Sequence, residues 1–282
     1  MSRRLPNSLP MDRIRAVFDR LCQRRRKALI PFLMGGDPDL DTTPKLILAV
    51  AEAGADLIEV GIPFSDPLAD GPTIQRASSR SLAHGTTPRA LLETLRHVSH
   101  RIDPPLVVLS YWNPILRYGD GYRGLSDPCP FVYEVKRCGV CGVIVPDLPP
   151  EEAEAFRHTA DRLGVATVFL AAPTSPPQRL RQIARVSEGF IYYVSVTGTT
   201  GARERLPSEW LHGVRQLKLI TTKPICVGFG ISTPAQAASI TRVADGVIVG
   251  SALIQAMEPF LHKKATLVRR AASFIRRFRR AV

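Results

Sequence analysis

Eight short apolar runs, at residues 28–33, 57–61, 106–109, 142–145, 166–170, 190–194, 224–227 and 246–249, set the architecture open to this chain. Each is four to six residues long and bounded by Gly, Pro or polar residues, the pattern of a strand buried on both faces. Helical segments separate them. Strands alternating with helices must run parallel, and eight such units favour α/β architecture as a single (β/α)8 TIM barrel; a doubly wound open sheet is the alternative. An extra helix precedes the first strand, carried by Ile14, Val17, Phe18 and Leu21. The 282 residues fit one barrel domain spanning 1–282, and no strong internal repeat is visible.

Between the strands, Leu46, Ile47, Val50 and Ala53 outline a helix entered at Asp41 or Thr42. Further helices are expected over 71–83, 88–98, 131–137, 151–163, 176–186, 209–218 and 233–241, and Gly250-Ser251 is expected to open the last helix. Residues 114–129 are Gly-rich and aperiodic and read as a loop, with 122–130 locally distinct. Residues 195–203, from Ser195 through Gly198 and Gly201 to Arg203, form a small-residue loop suited to motion.

The net charge of +13 invites a nucleic-acid reading, but its location argues otherwise. Residues 1–27 hold nine Lys/Arg against Asp12 and Asp19, residues 259–282 hold eight and no acid, and the remainder comes to −2. The basicity therefore belongs to the two terminal segments, about 1–27 and 259–282, and reads as solubilising surface. In the second of them Val268, Ala271, Ile275 and Phe278 make an apolar stripe between arginines, expected as a final helix packed on the barrel. Neither nucleic acid nor membrane is expected as a partner.

Cys22, Cys129, Cys138, Cys141 and Cys226 are odd in number and irregularly spaced, which argues against a disulfide framework and for a reducing compartment. Cys138-x-x-Cys141 has no second half to complete a metal site, so no metal is expected and both thiols are expected to be buried. No run approaches 18 apolar residues and the start lacks the apolar core of a signal peptide. The cytoplasm is the expected location.

In a barrel of this kind the C-terminal strand ends share one face, so residues remote in sequence converge there. They are Glu59 and Asp70, Tyr111, Asp147, Tyr192 and Ser195, Gly228 to Gly230, and Gly250-Ser251. The two glycine clusters follow the seventh and eighth strands, the usual phosphate position, where backbone amides approach an anion without needing Lys or Arg. All six histidines fall on helices or helix ends, which leaves carboxylates and tyrosines for acid–base work. Glu59 interrupts an apolar strand, where desolvation raises a carboxyl toward neutral pH. No Walker A or HExxH sequence is present.

The run Glu59-x-Gly61-x-Pro63-Phe64-Ser65-Asp66-Pro67-x-Ala69-Asp70-Gly71-Pro72, with Pro31-Phe32 and Gly36-Asp37-Pro38 before it and Gly228-Phe229-Gly230-Ile231 after it, resembles the tryptophan synthase alpha subunit family. Tyr192-x-x-Ser195 leading to Thr200-Gly201 agrees with it, and the resemblance spans about 28–254. It implies a lyase that cleaves indole-3-glycerol phosphate to indole and glyceraldehyde 3-phosphate in tryptophan biosynthesis. Carried over by position, Glu59 is the general acid/base and Asp70 the carboxylate that holds the indole N–H. Tyr111, Tyr192 and Thr200 are implied substrate contacts; Gly201, Gly230, Gly250 and Ser251 are implied phosphate ligands. The resemblance further implies no cofactor in this chain, and a beta-subunit partner that carries pyridoxal phosphate and receives indole in an alpha2-beta2 heterotetramer. One departure is Val196, where some relatives carry Arg.

Overall fold

A computed structural model describes residues 9–119, 130–194, 209–228 and 230–282. The strands are β1 (Ala28–Met34), β2 (Ile58–Gly61), β3 (Leu106–Leu109), β4 (Gly142–Ile144), β5 (Ala166–Val168), β6 (Leu170–Ala171), β7 (Ile191–Val194), β8 (Ile225–Gly228) and β9 (Gly246–Val249). All pair in parallel, in the order β5-β4-β3-β2-β1-β9-β8-β7-β6. The expected fifth strand, 166–170, is divided at Phe169 into β5 and β6. Its first half pairs with β4 and its second with β7, so one stretch of chain joins both ends of the sheet and completes the eight-unit barrel. Phe169 itself still contributes to the ladder, its carbonyl accepting from Tyr192 N–H at 3.1 Å.

Helices α1 (Pro10–Gln23), α2 (Thr43–Glu52), α3 (Pro72–Ala83), α4 (Pro88–Ser99), α5 (Trp112–Leu116), α6 (Pro130–Arg137), α7 (Glu154–Leu163), α8 (Pro177–Val186), α9 (Glu209–Ile220), α10 (Pro234–Thr241), α11 (Ser251–Met257) and α12 (Lys264–Arg279) follow in chain order. Pro72, Pro88, Pro177 and Pro234 occupy the first helical position, where a missing N–H costs nothing and the fixed φ suits helix. Thr233 and Gln236 close α10 with a reciprocal capping box. Strands sandwiched between barrel interior and helices are covered on both faces, and every residue of β1, β2, β3, β4, β8 and β9 is buried.

Several expectations are corrected. Thr42 is the residue before α2, but its side chain does not cap the helix; Thr42 N–H and Oγ1 both donate to Asp39 Oδ1 instead. The segment read as a loop from 114 contains the end of α5, and residues 120–129 lie outside the described residues. Helix α7 begins three residues later than expected, so Glu154 is its first-turn acid, while Glu151 pairs with Arg179. Ser251 does open a helix after the last strand, but α12 follows it. The small-residue loop 195–203, with Ser195 and Val196, lies outside the described residues.

The terminal helix packs on the barrel as expected, although its buried stripe is Leu267, Ala271, Ala272, Ile275 and Phe278, with Val268 only partly buried. At its end the Arg279 guanidinium meets Asp56 and donates to the Lys27 carbonyl, while Asp56 also accepts Leu29 N–H. This ties α12 to the N-terminal ends of β1 and β2. Cys138 and Cys141 are buried as expected, and no group of three metal-ligating side chains occurs among the described residues.

Helix α1 ends in a tight left-handed turn: Arg26 N–H reaches the Leu21 carbonyl at 2.9 Å and Arg25 N–H that of Cys22 at 3.0 Å. The turn requires positive φ at Arg25, 52°, whereas every other described residue with positive φ is glycine. A side chain there costs about 1–2 kcal/mol of backbone strain. The Arg25→Gly variant is expected to unfold at higher urea concentration than the parent, by roughly 1 kcal/mol; an unchanged or lower midpoint would show that the arginine's contacts offset the strain.

Candidate active site

The register of the barrel sets the site. Glu59 in β2 lies level with Phe32 on β1 and Val107 on β3, and Tyr192 on β7 lies level with Cys226 on β8 and Leu170 on β6. Side chains from these strands meet at the C-terminal end of the barrel in a cavity lined by Glu59, Asp70, Tyr192, Gly250 and Ser251 together with Phe32, Ile74, Leu109 and Ile248. Five of the nine expected site residues therefore share one cavity. Of the four apolar lining residues only Phe32 stands out in the sequence, within the Pro31-Phe32 motif; nothing distinguishes Ile74, Leu109 and Ile248 there from ordinary core positions. One indirect signal exists for Phe32: Gly61 is a glycine because a Cβ there would sit 2.6 Å from the Phe32 ring.

Glu59 is 1% exposed and neither carboxylate oxygen has a hydrogen-bond partner among the described residues. An ionised carboxyl in that position would lose its hydration without compensation. Burial, and next the negative charge of Asp70, push the Glu59 carboxyl up to about 8. Asp70 is 6% exposed and raised less, to about 6, because burial is opposed by a hydrogen bond from Tyr111. At neutral pH the pair thus holds one proton on Glu59 and a negative charge on Asp70.

Tyr111 does not line the cavity. Its Oη donates to Asp70 Oδ2 at 3.1 Å and accepts Ala69 N–H at 2.9 Å, fixing the Asp70 loop from behind. Gln75 Nε2 donates to the Asp70 carbonyl at 3.0 Å, and Ser78 holds Phe64 through its N–H at 2.9 Å and its carbonyl at 2.8 Å. The loop between β2 and α3 is therefore clamped at both ends. Asp147 also lies outside the cavity: its Oδ1 accepts Trp112 N–H at 2.9 Å, at the start of α5 just after Tyr111. It is a support for the tyrosine rather than a ligand group.

Tyr192 is buried, and burial followed by the nearby carboxyls Glu59 and Asp70 keeps its phenol well above the usual range, hence protonated. Gly228 makes room for it, since a Cβ there would lie 2.4 Å from the Tyr192 hydroxyl. Gly230 adopts φ +74°, a conformation glycine takes without strain, and Gly250 immediately precedes α11, whose first residue is Ser251. Thr200, Gly201 and Phe229 lie outside the described residues.

An ion-pair cluster missed in the sequence supports the same face. Asp37, part of the Gly36-Asp37-Pro38 motif, is 4% exposed and receives Arg80 through Nε at 2.9 Å and Nη2 at 2.8 Å, while Arg80 Nη1 reaches Glu258 at 3.2 Å. It links the loop after β1 to α3 and to the end of α11. No helix among the described residues is long and apolar enough to cross a membrane.

Comparison with known proteins decides the family. The family model described as tryptophan synthase alpha chain matches residues 18–282. The chain belongs to the tryptophan synthase alpha chain family. It is 48% identical over 254 residues to the tryptophan synthase alpha chain of Geotalea daltonii, covering 90% of this chain and 93% of that one. The corresponding chain of Geobacter sulfurreducens is 47% identical over 272 residues, covering 96% and 99%. Among solved structures, tryptophan synthase subunit alpha from Legionella pneumophila superposes with a TM-score of 0.84 at 33% identity, covering 95% of this chain and 97% of that one. The match to the tryptophan synthase alpha chain model runs to residue 282 and so includes α12, beyond the limit near 254 suggested by the motifs.

The pKa of Glu59 has a stability consequence. In the unfolded chain this group ionises near its ordinary 4.5, whereas folded it keeps its proton to about 8, so the parent loses stability as pH rises through that window. Glu59→Gln removes the ionisation, and its stability relative to the parent is expected to rise between pH 5 and pH 8 by on the order of several kcal/mol. Urea unfolding at both pH values measures it; a pH-independent difference would return Glu59 to an ordinary pKa.

Proposed function

We propose that Glu59 and Asp70 are the pair with which this chain performs the reaction of its family, the retro-aldol cleavage of indole-3-glycerol phosphate to indole and glyceraldehyde 3-phosphate in tryptophan biosynthesis. The observation that carries this assignment is a fully buried carboxyl without a hydrogen-bond partner among the described residues, facing the cavity beside a second carboxyl of lower pKa.

Protonated Glu59 delivers its proton to indole C3. The ring nitrogen then bears positive charge, and ionised Asp70, accepting the indole N–H, stabilises it. The cationic ring draws in the electron pair of the bond between C3 and the glycerol carbon. As that bond breaks, the Glu59 carboxylate takes the proton of the hydroxyl on the same carbon, which becomes the aldehyde. Glu59 ends the cycle protonated, as it began, and the substrate's own ring serves as electron sink, so the chemistry needs no cofactor.

Tyr192 supplies a neutral wall beside Glu59, and Tyr111 acts through Asp70, holding it toward the indole N–H rather than touching substrate. Gly201, Gly230, Gly250 and Ser251 are the proposed phosphate ligands and Thr200 a proposed substrate contact; the backbone amides at the start of α11 suit a dianion without a cationic side chain. The proposed assembly is the alpha2-beta2 heterotetramer, in the cytoplasm, with pyridoxal phosphate confined to the beta subunit.

Glu59→Gln and Asp70→Asn are each expected to lower indole release from indole-3-glycerol phosphate by about 100-fold or more with the fold retained. Full turnover in both would sink the assignment. The pH profile of kcat/KM is expected to rise near pH 6, as Asp70 ionises, and fall near pH 8, as Glu59 loses its proton. A profile flat from pH 5 to pH 9 would contradict it. Tyr111→Phe keeps the ring but drops the bond to Asp70, and is expected to shift the lower limb upward; an unmoved limb would leave the tyrosine a packing role only.

A further inference from the structure

The opposite end of the barrel carries a second cavity, of about 640 Å³, between α1 and the segments that enter β1, β7, β8 and β9. Its volume lies in the range of small-molecule sites, about 300–1,000 Å³. Six Lys and Arg side chains line it against three carboxylates. Three of the cations are committed: Lys27 and Lys218 to Asp245, and Lys223 to Glu188 at 3.8 Å and to the carbonyls of Arg185 and Ser187. Arg15 reaches out to Asp12 at 3.7 Å. Among the described residues Arg25 and Arg26 form no ion pair, and neither does the third carboxylate, Asp19.

Arg25 is also the described residue with positive φ that is not glycine, at a helix end where glycine would sit without strain. Helices α3, α6 and α7 are each followed by such a glycine, Gly85, Gly139 and Gly164. Phe18, Leu21 and Pro224 add an apolar floor to the cavity. Two unpaired guanidinium groups over such a floor are suited to bidentate recognition of phosphate on an organic body.

We propose that this cavity, with Arg25 and Arg26 as its anion ligands, binds a small molecule bearing clustered phosphates, of the nucleoside polyphosphate class. The site lies across the barrel from Glu59 and is separate from the phosphate end of the catalytic cavity.

Calorimetric titration of the full chain with ATP, with inorganic tripolyphosphate and with adenosine tests it. ATP and tripolyphosphate are expected to saturate at one per chain, and adenosine not to bind. Tighter binding of ATP would assign its organic part to the apolar floor, and equal affinities would reduce the ligand to its phosphates; either sustains the site. The double variant Arg25→Gly, Arg26→Ser is expected to weaken ATP by at least about tenfold, with no fall in Tm and unchanged cleavage of indole-3-glycerol phosphate. Because glycine relieves the turn at residue 25, lost binding in this variant is not lost folding. Unaltered ATP affinity in the variant, adenosine binding as tightly as ATP, or no saturable binding at millimolar ATP would overturn the proposal. A single-stranded oligonucleotide that outcompetes ATP, and does so only with both arginines present, would overturn it in favour of nucleic acid.

Discussion

Closure of the parallel ladder is the constraint on which the rest of the molecule depends. Parallel strands satisfy their backbone groups only with a neighbour on each side, and an open end would leave a row of unpaired donors and acceptors. Here the two ends of the sheet are joined by the single stretch that forms β5 and β6, pairing with β4 through one half and β7 through the other. With the ring joined there, Glu59 on β2 and Tyr192 on β7 face one interior, although 133 positions separate them in the chain.

That closed interior makes an uncompensated carboxyl tolerable. Burying Glu59 without a partner works against folding at neutral pH, and the loss is offset elsewhere, in fully buried strands and in clamps such as Asp37–Arg80–Glu258 and Arg279–Asp56. The polar resources of the catalytic face go to Asp70 instead. Tyr111 and Gln75 hold it, Asp147 supports the segment carrying Tyr111, and Asp70 is raised less than Glu59.

The two ends of the barrel differ in charge. Carboxyls and glycines mark the C-terminal end, whereas the N-terminal end gathers cations from α1, from the end of α9 and from the segments entering the strands. Much of the basicity of the chain's ends is held in packed helices: α1 buries Ile14, Val17, Phe18 and Leu21, and α12 buries five residues against the barrel. Two of their arginines turn inward, Arg13 to the Cys141 thiol and the Asp103 carbonyl and Arg279 to Asp56.

Local pattern made most of the barrel legible. Residues 106–109 and 246–249 form β3 and β9 as their pattern predicts, because short apolar runs between turn residues have few other uses. The break at Phe169 was not legible, since whether an apolar residue continues one ladder or changes partners depends on strands more than 20 positions away. Asp147 and Asp70 look alike as acids after a strand, yet one supports a short helix and the other faces the cavity. By itself, then, the sequence determined the alternating parallel architecture, the family and the two carboxyls, because periodicity and a long contiguous motif are local properties. Only the tertiary structure decided the partners of those carboxyls, the apolar walls around them and the unpaired arginines at the far end, because burial and hydrogen bonding are set by which distant segments the closed barrel brings together.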